Sequence, residues 1–199
     1  MTCGGRPMVA AGPSGPRAGS AGRPTIRNMD YAIVPTPIGR LLVVANARGL
    51  VRIAFDGTWS YAELGADWRR GAAVIEEAQA QLDGYFAGKR RDFTLALAPA
   101  GTPFQQRVWE ALTKIPYGSV ASYSEIAKRI GAPDAVRAVG AANGRNPLPI
   151  VVPCHRVIGA DGSLTGFGGG LPLKRRLLAL EGADVAAVRD TPQAVLPFA

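Results

Sequence analysis

The stretch that most narrows what this chain can fold into is Asn146 to Gly159, NPLPIVVPCHRVIG. It is largely apolar, and Pro147, Pro149 and Pro153 stiffen it, because each proline fixes φ and removes a backbone donor. Inside it stand Cys154 and His155. His155 is the only histidine of the chain and Cys154 is one of two cysteines. In an extended strand, adjacent side chains point to opposite faces. The pair can therefore cooperate only if the chain turns there or a water bridges them. A cysteine in an apolar run is commonly an inert core residue. The imidazole beside it changes the chemistry, since the thiolate is the nucleophile and needs a base or a positive neighbour near neutral pH.

The rest of the composition sets bounds. With 199 residues, 47% of them hydrophobic, the chain can bury a core in one domain or two small ones. No segment approaches the roughly 20 apolar residues of a membrane span, so no membrane association is expected. The N-terminus lacks the apolar run of a secretory signal. Two cysteines in unlike surroundings do not suggest a disulfide framework, which points to a reducing, cytoplasmic setting. The net charge of +8 is uneven: residues 29–102 balance, whereas residues 103–181 carry twice as many Lys and Arg as Asp and Glu. A basic half beside a neutral one is compatible with a polyanionic partner, and equally with an ordinary solvated surface.

Residues 1–28 are rich in Gly, Pro, Ala and Arg, show no helical or strand period, and read as a disordered basic tail that includes Cys3. Met29 is a plausible second translation start. Residues 29–99 read as a small α/β domain. YAIV is a strand ending at the Pro35–Pro37 turn, and two further strands form a hairpin at Asn46–Gly49. Val74, Ile75, Ala78, Leu82, Tyr85 and Phe86 lie at helical spacing before a stop at Gly88, and DFTLALAP reads as a last strand. Nothing in this half looks catalytic.

After a linker at 98–102, residues 103–181 read as mainly helical. Pro103 opens a helix whose Phe104, Val108, Trp109 and Leu112 share a face. Ser122 and Glu125 form a capping box, Gly131 is a stop, and Asp134 is a candidate N-cap for the next helix. Two short helices around a glycine turn match a helix-turn-helix, or an ordinary helical hairpin. The second helix carries Ala135, Ala138, Gly140, Ala141 and Ala142 with Arg137 standing out, which suits close approach to a DNA groove or simply tight packing. Residues 182–199 read as a C-terminal tail. The fold class is thus α+β, a small α/β domain followed by a helical domain with a helix-turn-helix.

For the Cys154–His155 pair, a papain-like hydrolase would take its histidine from far away in sequence, and none exists. A structural zinc site needs about four Cys or His ligands, and the chain has three such residues with one in the tail. No metal or cofactor is expected.

The segment from Ile115 to Ala183, with PCHRV at its centre, resembles the DNA-binding, active-site domain of the O6-alkylguanine-DNA alkyltransferases, the methylated-DNA–protein-cysteine methyltransferases. The likeness is strong over about 103–181 and weaker over 29–99. It implies direct, irreversible, single-turnover repair of O6-alkylguanine, and of O4-methylthymine, in double-stranded DNA by a monomer. By the same resemblance, Cys154 accepts the alkyl group, His155 deprotonates it through a water, and Glu181 orients the imidazole. Asn146 is the hinge that ties the recognition helix to the active-site segment. Tyr123 helps rotate the target phosphate and hydrogen-bonds the guanine. Arg137 fills the gap left by the flipped base, with Ser124, Ala135 and Ala138 also at the DNA. Val157, Phe167 and Gly168 form the substrate pocket. Many relatives have tyrosine where Phe167 stands, so ring packing is implied there and a phenol contact is not. A damage sensor without transfer would lack Cys154, a regulator would need a cysteine-rich metal domain, and a thiol hydrolase would turn over small esters.

Overall fold

The computed structural model describes Met1, residues 29–184 and residues 189–190. The expected basic tail with Cys3, and most of the expected C-terminal tail, lie outside the described residues.

The first half is a four-stranded sheet in the order β3-β2-β1-β4. Strands β1 (Asp30–Thr36), β2 (Gly39–Asn46) and β3 (Gly49–Phe55) are antiparallel, and β4 (Arg69–Arg70) runs parallel to β1. Strand β1 continues through Pro35, which the sequence placed in a turn. The ladder partner of Pro35 is Arg40, and the reversal falls at Pro37–Ile38. Alternation of side chains gives the sheet two apolar faces. Val34, Leu41, Val43 and Ile53 face helix α1 (Ala73–Phe86), while Leu42, Val44 and Ala54 are covered by Trp59, Leu64 and Trp68.

The stretch DFTLALAP is not a strand: only Leu97 makes a bridge, to Leu50. Apart from the bonds of that bridge, its backbone is held elsewhere: the Thr94 amide donates to Gln81 Oε1. A side chain of α1 has taken the place of a neighbouring strand.

The second half begins with α2 (Pro103–Thr113), where Thr102 and Gln105 form a reciprocal capping box. Strand β5 (Ala121–Ser122) leads into α3 (Tyr123–Arg129), capped by Ser122 and Glu125 as expected. Gly131, at φ 71°, ends it. Helix α4 (Val136–Gly144) completes the helix-turn-helix. Asp134 does not cap it. The turn closed by the Ala135 amide on the Ala132 carbonyl leaves Ala135 in the N-cap position, with no side chain to accept from the first turn. Beyond the proline-rich run come β6 (Val157–Ile158), β7 (Ser163–Leu164) and α5 (Leu171–Leu180). Strand β6 is parallel to β5. Part of the segment read as a tail is ordered into β8 (Arg189–Asp190), which pairs parallel with β7.

One apolar cluster spans both halves. It runs from Val34, Leu82 and Tyr85 through Leu112, Ile126 and Val139 to Cys154 and Leu177. The linker marks a boundary in sequence but not in the core. No described helix is long and apolar enough to cross a membrane.

Gly49 shows how tightly the first half closes on the 92–99 segment. Its φ is 138°, and a Cβ there would lie 2.2 Å from the Ala96 carbonyl oxygen. Gly49→Ala combines backbone strain with a clash against main chain, each costing about 1–3 kcal/mol. The expected outcome is a melting temperature lower by roughly 5–10 °C, measured by differential scanning calorimetry.

Candidate active site

The proline-rich run answers the adjacency problem with a turn. Cys154–Arg156 form a single turn of 3-10 helix, so the side chains of neighbouring residues do not diverge as they would in a strand. Just before it, Ile150 has φ 76°, the only described non-glycine residue in the left-handed region. A β-branched residue there is strained. Asn146 holds the strained segment: its Nδ2 donates to the Val152 carbonyl at 2.7 Å and its Oδ1 accepts the Leu148 amide at 3.0 Å. The hinge position expected of Asn146 is thus occupied by a side chain bonded on both sides of the bend.

His155 is fully buried, and its Nε2 lies 2.9 Å from Glu181 Oε1. A carboxylate only accepts, so Nε2 carries the proton and Nδ1 presents its lone pair. Nδ1 has no partner among the described residues. Burial pushes the imidazole below its ordinary value, against the opposing pull of Glu181. The ring is neutral at physiological pH, the state a proton acceptor needs.

Glu181, the C-cap of α5, is the most heavily bonded side chain of the site. Besides His155 it accepts from Arg156 Nε at 2.8 Å and Nη2 at 2.9 Å, from Tyr85 Oη at 2.7 Å and from the Gly118 amide at 3.3 Å. Burial alone would raise its pKa, yet the hydrogen bonds from His155 and Arg156 and the Arg156 charge outweigh it and hold the carboxyl at about 2. Arg156 also donates to the Ile115 carbonyl at 2.6 Å.

Cys154 is 5% exposed, and burial raises its thiol pKa against the pull of the Asn146 side chain and the Lys174 ammonium. Lys174 is itself fully buried, with no carboxylate partner among the described residues, and is lowered to about 8 by that burial. It donates to the Val157 carbonyl at 2.5 Å and the Thr165 carbonyl at 3.1 Å, pinning the active-site turn to the following loop. Thr165 in turn donates to Tyr123 Oη at 2.8 Å, and the Asn143 side chain also hydrogen-bonds the phenol. Burial raises the Tyr123 pKa, so it stays a phenol.

A cavity of about 1020 Å³ opens over the thiol, lined among others by Asn143, Asn146, Cys154, Phe167 and Gly168. Phe167 is held by Phe55 of β3, with ring centroids 5.4 Å apart. Val157 is not on the cavity wall. Its side chain is fully buried, and Lys174 claims its carbonyl. On the helix-turn-helix, Arg137 and Ala138 are exposed, Ala135 and Ser124 are half-buried, and Val139, Ala142 and Asn143 turn inward. Trp109 Nε1 donates to the Ala142 carbonyl at 2.9 Å, anchoring α4 on α2.

Three residues of the site were not singled out from sequence. Lys174 gave a usable signal, since it sits at helical spacing with Leu171, Leu177 and Leu178, on the apolar stripe of α5. Arg156 gave a weaker one, a lone charge in an apolar run. Tyr85 gave none beyond its place on the apolar face of α1.

A buried thiol beside an imidazole–carboxylate pair, behind a helix-turn-helix and joined to a small α/β domain, defines a class of protein: one that brings a nucleophilic cysteine to nucleic acid. Comparison with known proteins makes the class specific. Residues 29–99 match the ribonuclease-like domain, and residues 103–183 the DNA-binding domain, of 6-O-methylguanine DNA methyltransferase. The chain is 50% identical over 153 residues to the methylated-DNA–protein-cysteine methyltransferase of Methanosarcina barkeri, covering 77% of this chain and 97% of that one. It is 49% identical over 156 residues to that of Mycobacterium leprae, covering 78% and 90%. The crystal structure of Mycobacterium tuberculosis O6-methylguanine methyltransferase superposes with a TM-score of 0.70 at 47% identity, over 77% and 93% of the two chains. That of Mycobacterium tuberculosis OGT in complex with DNA gives 0.69 at 45%, over 81% and 94%. The chain belongs to the methylated-DNA–protein-cysteine methyltransferase family, whose members repair DNA by moving an alkyl group from O6-alkylguanine to a cysteine of their own.

Glu181→Gln keeps the shape of the side chain and removes its charge, leaving the buried Arg156 uncompensated. Breaking such a pair costs about 3–5 kcal/mol, and the variant is expected to be less stable by that order at pH 7. The wild-type carboxyl is lowered from 4.5 to about 2, so its contribution is complete above pH 4.5 and is lost as pH falls toward 2. Urea unfolding at pH 7 and pH 3 should therefore show the gap between the two proteins narrowing at the lower pH.

Proposed function

We propose that Cys154 is the acceptor in this chain. His155 removes the thiol proton through a water at Nδ1, and Glu181 keeps the imidazole in the tautomer that allows it. The sulfur attacks the alkyl carbon of O6-alkylguanine, a C–S bond forms, and the C–O bond breaks with its electron pair going to the base. Tyr123 donates its phenol proton toward the charge that develops there. O4-methylthymine offers the same leaving geometry and is a second substrate. The observation that carries the reading is the Glu181 carboxylate, whose contact fixes the proton on Nε2 and turns the free lone pair of Nδ1 to use.

The partner is double-stranded DNA. An alkyl group on O6 of a stacked guanine is not open to in-line attack, so the base leaves the helix, at a cost of a few kcal/mol. Arg137 enters the vacated space, and Tyr123, Ser124, Ala135 and Ala138 lie along the backbone. The small side chains of α4 permit close approach, and its first-turn amides, uncapped by Ala135, suit a phosphate. Asn146 transmits position from α4 to the thiol. Phe167 and Gly168 close over the base, with Phe167 acting by ring packing alone. The units are 29–99, as scaffold and back wall, and 103–181, which reads DNA and reacts. The protein works as a cytoplasmic monomer without metal or cofactor.

Two experiments test this. Mixed with excess O6-methylguanine duplex, the protein should gain the mass of one CH2 and no more, on the peptide containing Cys154. Cys154→Ser should bind the duplex and gain nothing, a hydroxyl being a far weaker nucleophile than a thiolate. Transfer by the serine variant, or multiple turnover by the wild type, defeats the assignment.

Arg137→Ala should slow repair of the duplex by roughly ten- to a hundredfold, the equivalent of about 1.4–2.7 kcal/mol of lost compensation for flipping. Its reaction with free O6-benzylguanine, which needs no flipping, should be nearly unchanged. Equal losses on both substrates would make Arg137 structural. Single-turnover kinetics on each substrate decides.

A further inference from the structure

The α/β half of the chain supplies a functional group to the active site. Tyr85 lies near the end of α1, 96 residues from Glu181 in sequence, and its Oη donates to Glu181 Oε1 at 2.7 Å. That oxygen is the one facing His155 Nε2. Tyr85 is fully buried and wedged by aromatic rings, with Phe86 at 5.3 Å, Phe93 at 5.5 Å and Tyr117 at 6.1 Å between centroids. A hydroxyl so deep in a core carries a desolvation cost unless it is bonded, and the described partner is this one carboxylate oxygen.

We propose that Tyr85 is a positioning residue for alkyl transfer: its hydroxyl fixes the rotamer of Glu181 and draws charge off the oxygen that faces His155. The proposal rests on His155 acting as the base for Cys154. The physical argument concerns competition for Oε1. That oxygen accepts from His155, Tyr85 and Arg156 Nη2. An oxygen with one donor fewer attracts the imidazole proton more strongly and stabilises imidazolium. The ring would then take up a proton at higher pH and be lost as an acceptor for the thiol. Tyr85 thus keeps His155 neutral further down the pH scale, and it does so from the half that carries no other part of the relay.

The groups facing this pair can be named from every side. Arg156 lies in the same turn, Lys174 and Glu181 come from α5, Cys154 precedes His155, and Tyr85 comes from α1. Tyr117 meets Tyr85 edge-on and lies under the Arg156 guanidinium at 5.9 Å. The Tyr117 hydroxyl donates instead to the Leu180 carbonyl. That makes Tyr117 the natural control, since removing its hydroxyl disturbs the same interface and leaves every described donor to Glu181 in place.

The test uses the full chain and free O6-benzylguanine, with single-turnover rates measured from pH 5 to 9 for the wild type, Tyr85→Phe and Tyr117→Phe. The wild-type profile, with benzyl recovered on Cys154, tests the underlying reading by itself. For Tyr85→Phe the acid limb should move up by roughly 0.5–1 pH unit, a three- to tenfold loss on the limb, with rates converging above it. Tyr117→Phe should keep the wild-type limb. Thermal melts run alongside show whether each variant is folded at the assay temperature. A Tyr85→Phe profile that superimposes on the wild type, or that drops by one factor at every pH, overturns the proposal, as does an equal limb shift in Tyr117→Phe. Should Tyr85→Phe melt below the assay temperature, the profiles of all three proteins are measured at a lower temperature at which the variant is folded, with the same outcomes deciding.

Discussion

A single buried carboxylate organises the site. Charge on Glu181 is expensive so far from water, and it persists because five donors converge on its two oxygens. Those donors come from three places in the chain: α1, the loop after α2, and the Cys154–Arg156 turn, which supplies both His155 and Arg156. Each is positioned by its own packing. The carboxylate is therefore less a member of one domain than the point at which the two halves agree on a geometry. Moving any one of the segments would leave either a charge or a donor stranded in the core.

From that point the fold carries position outward in two directions. Toward the DNA side, Asn146 bonds both arms of the bend that contains the strained Ile150, and α4 sits immediately before it. Trp109 grips α4 from behind through the Ala142 carbonyl, so the helix that presents Arg137 has a rigid mount. Toward the cavity, Lys174 holds two carbonyls, and through Thr165 it sets the orientation of Tyr123. The lysine also supplies positive charge near the thiol, opposing in part the burial that keeps it protonated. Packing density in such a region leaves little room for one piece to shift alone.

Much of this was legible in the sequence. The capping boxes at Thr102 and Ser122, the stop at Gly131 and the alternation in β2 and β3 are local signals, and local structure follows them. The Cys154–His155 pair and Glu181 came from a motif, and the structure brings His155 and Glu181 into contact. What escaped was decided at long range. The segment 92–99 has a strand-like composition, but Gln81 occupies its backbone, and no property of residues 92–99 announces that. Asp134 is a good cap by type, and the Ala132–Ala135 turn sets the helix one residue past it. Val157 is a pocket residue only by the family resemblance, whereas the structure buries its side chain away from the cavity. Tyr85 is the clearest case. Its apolar spacing is correct, and only the fold reveals that the hydroxyl at the far end of the ring meets a carboxylate 96 residues away.

The depth of Cys154 bears on how long an unused molecule remains usable. A protein that spends its nucleophile in one reaction has no second chance if that sulfur is lost to an oxidant or a stray electrophile in solution. Reactivity toward such agents tracks the fraction of thiolate and its exposure. Here the thiol is 5% exposed and its pKa is raised by burial, so at rest it is mostly S–H. Oxidants in solution meet a little-exposed and mostly protonated sulfur. Shelf life in the cell, as much as speed at the lesion, is what a protonated, little-exposed cysteine provides.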